Sequence, residues 1–360
     1  MSGEQTKRML GAYISEGSFS LFLTGLFQSP LENFHNSESV ELDIMRSGED
    51  IAIVIQNIAD GYRLNKEDIY TNKSLVPAIY KEAGALQAAD LIKRMPGQNP
   101  FANVEFQANA STRASRLLRK MQNKIIRAIE LQAAQVLTTG TVSLTDAAGN
   151  VLFTVNYAPK TTHFPTVSNA WSGGSADPLL DLANLGEVIR NDGLEDPDQI
   201  IFSGRTYEYF LRDAKVQARL DNRRIDQGGI APMQMNGLGG AFRGTIEIEN
   251  YRYQLWTYGG RYTDPQTGNK TDYIPADKVI VRSSRGRLDA TFGAIPKFAE
   301  PDQRVLRFLP DRVRNPGARL DLFFNAWLQP NNEELFVGCG ARPLLIPTAI
   351  DTFGCLDTEP

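Results

Sequence analysis

NASTRASRLLRKMQNKIIRAIELQAAQVL, residues 109–137, reads as one uninterrupted amphipathic helix. Leu118, Met121, Ile125, Ile129, Ala133 and Val136 recur at three- and four-residue spacing and build one apolar face. Arg113, Arg116, Arg119, Lys120, Lys124 and Arg127 fill the other side. Asn109 or Ser111 can cap its start, and Gly140 follows its end. At about 1.5 Å per residue such a helix spans ~40 Å, the length of a spine for a whole lobe. Its basic side reads as a solvated or subunit-facing surface rather than a nucleic-acid stripe, because acidic residues elsewhere balance it.

Downstream of the helix, TVSLTDAAGNVLFTVNY (141–157) predicts a β-hairpin turning at Ala148-Gly149-Asn150. A polar loop with Pro165 and Ser172-Gly173-Gly174-Ser175 then marks a domain boundary. Beyond it helices and strands alternate. Asp177 caps a helix that has Pro178 in its first position and runs through Arg190. A buried strand follows at 199–203, and a second helix at 204–219. Residues 219–244 are polar and glycine-rich, which predicts an exposed loop. Strands are expected at 245–260, 277–283, 319–330, 334–347 and 349–356.

Upstream, residues 1–36 read as an arm with one short helical or extended anchor around Leu21–Phe27. ESVELDIM (38–45) alternates Val40, Leu42 and Ile44 against Glu41, Asp43 and Met45, a strand with one polar side. DIAIVI (50–55) is also β-like. Residues 56–77 mix isolated apolar residues with Arg63, Lys66, Glu67, Asp68 and Lys73 and keep no period, so they predict a charged hairpin projecting from the body. Residues 77–97 return to apolar-rich chain.

The whole is α+β in two lobes. The chain has 360 residues, 42% hydrophobic and 22% charged, enough for sizeable cores and too apolar for general disorder. No run suits a membrane-spanning helix and no signal-peptide layout opens the chain, so a soluble protein made in the cytoplasm is expected. A net charge of −4 argues against a dedicated nucleic-acid binder, though not against a wall that encloses DNA. Two cysteines, Cys339 and Cys355, make no disulfide framework and read as buried thiols.

Chemistry is hard to find. His35 and His163 stand in loop-like contexts, far from either cysteine, and read as incidental surface histidines. Gly237-Leu238-Gly239-Gly240 lacks the lysine and hydroxyl of a phosphate loop, and no G-x-S-x-G occurs. No catalytic, metal or cofactor residue is therefore assigned. The three long charged segments, 1–36, 56–77 and 219–244, suit a subunit that reaches over its neighbours. An oligomeric enzyme acting on polysaccharide, with its site between the lobes, remains the alternative, as does another virion structural protein.

The order of these parts resembles the lambda-like major capsid protein E family of tailed bacteriophages, with its Hong Kong 97-type capsid fold. SESVELDIM resembles the strand before that family's extended loop, and PAIYKEAGALQAADLIKRMPG (77–97) its return arm. QIIFSGRTYEYFLRDAKVQARLDNRR (199–224) is similar to its strand-helix passage ending in a basic run, here Leu220 to Arg224. DYIPADKVIV (272–281) resembles its strand entry.

The resemblance implies a major capsid protein that self-assembles, as pentamers and hexamers, into the icosahedral head enclosing a double-stranded DNA genome. It implies an N-terminal arm at 1–36, an extended-loop hairpin at 37–85 and a peripheral domain at 86–176 with the spine helix. An axial domain would follow at 177–310, and C-terminal strands at 311–360 would return to the peripheral domain. Arg63, Lys66, Glu67, Asp68 and Lys73 of the hairpin, and Asp221, Arg223 and Arg224 of the axial loop, are the expected inter-subunit contacts. Partners would be further copies, a decoration (cement) protein, a separate scaffold protein and a portal during assembly, and packaged DNA held without sequence specificity. Isopeptide crosslinking is the other route by which such shells are sealed. No membrane partner is implied, and the protein would reside in the virion shell.

Overall fold

The computed structural model describes residues 21–30, 33–35, 37, 39–46, 69–91, 106–146, 148–220, 228–235, 239–295, 322–328 and 334–360. Strands β1 (Val40–Arg46) and β2 (Ile69–Leu75) pair antiparallel from Val40↔Leu75 to Arg46↔Ile69. Strand β1 falls on the strand expected at 38–45, and its partner is drawn from 69–75; residues 50–55 lie outside the described ones. Val40 is fully buried and Leu75 packs against the same core, so the base of the ladder is fixed to the body. Strand β3 (Tyr80–Gln87) leads into a one-turn helix α1 (Ala88–Leu91).

The spine is helix α2, Phe106–Thr139, longer than its apolar pattern at both ends. Asn109 and Ser111 are not caps but lie within its first turns. Ser111 is half-buried, and its carbonyl accepts from the Ser115 hydroxyl, 2.8 Å away. The helix stops at Gly140, whose φ of +63° suits a residue without Cβ. Ala114, Leu118, Met121, Ile125, Ala133 and Leu137 are all buried in one core, which also takes Val142 and Val155 of the hairpin β4 (Thr141–Thr145) and β5 (Val151–Asn156). Each such side chain contributes roughly 1.5–3 kcal/mol when fully buried.

After the boundary loop, Asp177 caps α3 (Pro178–Gly193), accepting from the Leu180 amide, with Pro178 in the first turn as expected. Strand β6 (Gln199–Phe202) follows. The single helix expected at 204–219 is two, α4 (Gly204–Arg212) and α5 (Ala214–Leu220). Asp213 adopts an extended backbone between them, and its carboxylate caps the second by accepting from the amides of Lys215 and Val216. Residues 219–244 are likewise not one loop: β7 (Gly228–Met235) pairs with β8 (Gly240–Ile248). The register shift between Ile230 and Gln234 brackets Pro232, which cannot donate to a ladder, and that irregularity hides the strand in the sequence.

Strand β9 (Tyr251–Tyr258) completes a hairpin with β8, and the short pair β10 (Arg261–Thr263) and β11 (Lys270–Asp272) turns at Asp264–Asn269. Then come β12 (Lys278–Arg282), β13 (Asp289–Phe292), β14 (Phe323–Leu328), β15 (Glu334–Ala341), β16 (Pro343–Ile346) and β17 (Phe353–Asp357).

The largest sheet runs β17-β12-β6-β9-β8-β7, with β6 and β9 parallel and the other neighbours antiparallel. Both faces are covered over β17, β12 and β6, while Arg252 and Gln254 of β9 are exposed on the spine side. Ile200, Phe202, Val279, Val281 and Leu356 pack with Leu182, Leu185 and Ile189 of α3 and Phe210 of α4, while Ile201, Ile280 and Cys355 pack with the spine helix. The alternation of successive strand residues across a sheet explains why QIIF and KVIV read as continuous apolar runs.

The second sheet has the order β14-β15-β3, and β13 pairs with β16. Two boundaries move as a result. Residues 80–85 belong to the sheet of the body rather than to the projecting hairpin. Strand β17 closes an edge of the six-stranded sheet instead of returning with β14 and β15, because its residues Phe353–Asp357 register against Lys278–Arg282.

Candidate functional site

Three places on the molecule stand out: the anchor of the N-terminal segment, the clasp beneath β17, and the surfaces left open. The anchor is built on Glu130, the lone acidic residue in the 109–137 stretch. Its side chain is fully buried where the spine passes the end of β9. One carboxylate oxygen accepts from the Leu23 amide at 2.9 Å and the Tyr258 hydroxyl at 2.6 Å. The other accepts from the Thr24 amide at 2.9 Å and its hydroxyl at 2.5 Å. Four donors on two oxygens satisfy a buried carboxylate, whose isolation from water would otherwise be prohibitive.

The peptide held there is a single turn of 3-10 helix, Thr24–Leu26. Phe22 wedges beside Trp256 and Tyr258, each ring centroid 5.5 Å away, and lies over Gly240, where a Cβ would collide with its ring. Beyond the turn the chain runs beside β13: Gln28 pairs with Asp289, and Phe34 stacks on Phe292 at 5.0 Å. Buried Asp289 accepts from Asn33, Arg287 and Thr348. Residues 21–30 and 33–35 therefore form a strap across the body. The expected anchor is real, and its receptor was missed; the signal was an acid inside the buried part of an otherwise basic helix.

The clasp corrects the reading of His163 as a surface residue. It is 1% exposed, with Nδ1 2.8 Å from the Phe353 carbonyl and Nε2 3.1 Å from the Asp192 carboxylate. Lys160 reaches the other Asp192 oxygen at 2.6 Å. Burial opposes ionisation of Asp192, but the bonds from Lys160 and His163 prevail and hold its carboxyl below the usual range. The clasp joins the 160–163 turn, the end of α3 and β17. His35 is half-buried, and its amide donates to the Phe292 carbonyl. Both cysteines are buried free thiols, and burial pushes that of Cys355 up to about 12.

Of the expected contact residues, Lys73 lies in β2 opposite Leu42. Arg63, Lys66, Glu67, Asp68, Asp221, Arg223 and Arg224 lie outside the described residues. The flanks of the second group are fixed: α5 is tied to the sheet by Arg219, which donates to the Glu247 carbonyl at 2.8 Å. The base of the ladder is tied by buried Arg342, which donates to the carbonyls of Pro77 at 3.0 Å and Ala294 at 2.9 Å.

Two concave surfaces stand out among the described residues. A cleft of about 1470 Å³ lies between the spine, β4 and the β9–β11 region, lined by Lys124, Arg127, Arg243, Arg261 and Lys270 together with Glu82 and Asp264. Lys124 pairs with Glu82 at 2.9 Å. A smaller hollow of about 190 Å³ sits on the outer face of the β14-β15-β3 sheet. Among the described residues no group of three or more His, Cys, Asp and Glu side chains could hold a metal ion, and no helix is long and apolar enough to cross a membrane.

The profile of the phage major capsid protein E family matches residues 19–353. No curated protein matches the sequence. Among solved structures, a prophage capsid protein of Escherichia coli CFT073 superposes with a TM-score of 0.63 at 16% identity, covering 96% of this chain and 95% of that one. A chain from Gordonia phage Cozz gives 0.51 at 10% identity, over 96% and 89% of the two chains. An encapsulin of Synechococcus elongatus PCC 7942 gives 0.50 at 8% identity, over 100% and 96%. At such identities the likeness is one of fold.

Proposed function

The chain belongs to the phage major capsid protein E family and has a capsid-forming structural role, and from that premise we propose how its parts serve a shell. Its fold is the α+β Hong Kong 97 type. Copies associate as pentamers and hexamers in an icosahedral head around double-stranded DNA. The six-stranded sheet with α3 to α5 forms the axial unit, now including β17, and its 221–227 loop points to the capsomer axis. The spine helix, β3 to β5 and β14 to β16 form the peripheral unit. The segment between β1 and β2 is the extended loop, laid on a neighbouring subunit through Arg63, Lys66, Glu67, Asp68 and Lys73.

A decoration protein, a scaffold and a portal complete the assembly in this reading, with DNA enclosed rather than gripped, in keeping with the net charge of −4. The protein is made in the host cytoplasm and ends in the virion. The single observation that carries the proposal is the family match across 19–353, which spans both lobes and the ladder.

Negative-stain electron microscopy of the protein, expressed with and without its genomic neighbours, tests it. Shells, or rings of five and six, are expected. Uniform small particles in every condition would overturn it and return attention to an oligomeric enzyme.

A further inference from the structure

The outer face of the β14-β15-β3 sheet is built to receive something. In register, Trp327, Phe336 and Ala85 form one row, Asn325, Gly338 and Ala83 the next, and Phe323, Gly340 and Lys81 the third. The middle of this face is nearly bare. A Cβ on Gly338 would meet the Trp327 ring only at ordinary contact distance, 3.4 Å, and Ala83 adds a single methyl. Trp327 stands as one wall, stacked on Phe336 at 5.4 Å and 6° and still 39% exposed. Ile295, Phe323 and the stem of Lys81 form the other. The resulting hollow of about 190 Å³ is smaller than the ~300–1,000 Å³ of small-molecule pockets, so it suits a protruding side chain.

The same chain carries such a side chain. Val151 and Leu152 are 59% and 72% exposed, the highest values among the large apolar side chains described. They begin β5, at the tip of the hairpin that follows the spine. In the β4–β5 ladder Thr145 pairs with Val151 and Leu144 with Phe153, which leaves Leu152 as the extra residue of a β-bulge. Leu152 shares the face of β5 that carries exposed Thr154 and Asn156, so the alternation of the strand turns this leucine into solvent. The turn beside it is stiff: the Asp146 carboxylate accepts from the amides of Ala148 and Asn150, each at 2.8 Å. A rigid apolar knob and an unfilled apolar hollow on one molecule are the two halves of a heterologous contact between identical copies.

We propose that Leu152 of one copy seats in the Trp327–Gly338–Ala83 hollow of the next, so that the β4–β5 hairpin docks on the open face of a neighbour's three-stranded sheet. Charge agrees with the fit, since Asp146 on the hairpin would face Lys81 on the rim. The inference rests on the capsid reading, because it needs a lattice of copies.

The test is a disulfide trap in assembled particles. Native Cys339 and Cys355 are buried, so wild type gives the background. Leu152→Cys combined with Ala83→Cys, assembled and mildly oxidised, should give a ladder of covalent multimers on a non-reducing gel. Either single variant should lack that ladder. Shells with only monomer bands, or with a bond closed within one chain, would overturn the contact while leaving the capsid reading intact. A wild type that forms no shell in any condition would remove both. Because the double variant can itself fail to assemble, Leu152→Asp is measured alongside: it should remain folded, with an unchanged melting curve, and lose about tenfold or more in assembled fraction. Assembly of Leu152→Asp at the wild-type level would overturn the proposal.

Discussion

The two main sheets are made of similar residues and are used in opposite ways. The six-stranded sheet is sealed at β6 and β12, where Ile200 and Phe202 face α3 and α4 and Ile201 between them faces the spine, while Arg252 and Gln254 of β9 stay exposed. The three-stranded sheet has one face in the core, through Val337 and Cys339, and the other open, with Trp327 at 39% exposure beside bare Gly338. On the docking proposed above, the closed sheet defines the subunit, whereas the open face with small residues and standing aromatics receives another copy. Damage to the first should therefore destroy the fold, and damage to the second should spare the fold and destroy assembly.

The sharpest way to break that contrast is a charge in the sealed sheet. Ile201→Asp puts a carboxylate where both neighbours, Ile280 and Trp256, are apolar, at a cost of more than about 4 kcal/mol. No soluble, cooperatively melting protein should be recovered, and a folded variant would show that the sheet is not sealed.

Glu130→Ala comes next. It strands the amides of Leu23 and Thr24 and the hydroxyls of Thr24 and Tyr258, so about 3 kcal/mol should be lost. Hydrogen exchange at Leu23 and Thr24 should accelerate far more than exchange in β6. Equal acceleration would mean that the strap is not a separate element. Glu130→Gln restores one acceptor oxygen and should fall between.

Gly240→Ala drives a methyl into the Phe22 ring and should cost about 2 kcal/mol through the same strap. Asp177→Ala removes the cap of α3 and should cost about 1 kcal/mol in a thermal melt at neutral pH. The Lys215 ammonium and, against a small opposing effect of burial, the Leu180 amide hold the Asp177 carboxyl below its ordinary range. Its contribution is thus complete above the ordinary carboxylate range and fades as pH falls through the lowered folded value. The gap between wild type and Asp177→Ala should close in acid; a gap that widens would contradict the sign.

The smallest effect on stability is expected on the open sheet. Ala83→Glu should change the melt by no more than about 0.5 kcal/mol, since the side chain is exposed. It should nevertheless reduce the assembled fraction strongly. A large loss of stability would mean that this face is part of the core.

The spine was legible over 109–137, where α2 keeps a helical period, but its true ends at Phe106 and Thr139 were not. The strand QIIF was equally plain, since both of its faces are buried. The split between α4 and α5 was not, because Asp213 caps a helix only in its extended conformation and looks like any surface acid within a helical run. Nor was β7, where Pro232 and glycines disguise a strand. Glu130 and His163 escaped for a shared reason: each depends on partners more than a hundred positions away, Leu23 and Tyr258 for one, and Phe353 for the other. Sequence spacing identifies faces of elements, and it does not identify which donors converge on a buried polar atom. Of the charged residues expected as contacts, the described residues fix the ladder position of Lys73.

The central claim is that this chain is a lattice subunit whose open surfaces are filled by further copies. Sedimentation velocity of the protein produced with its genomic neighbours tests it most directly. Wild type should sediment as capsomers and shells, and Ala83→Glu as a folded species near the 39.9 kDa of one chain. Wild type sedimenting as that same small species in every condition would contradict the account.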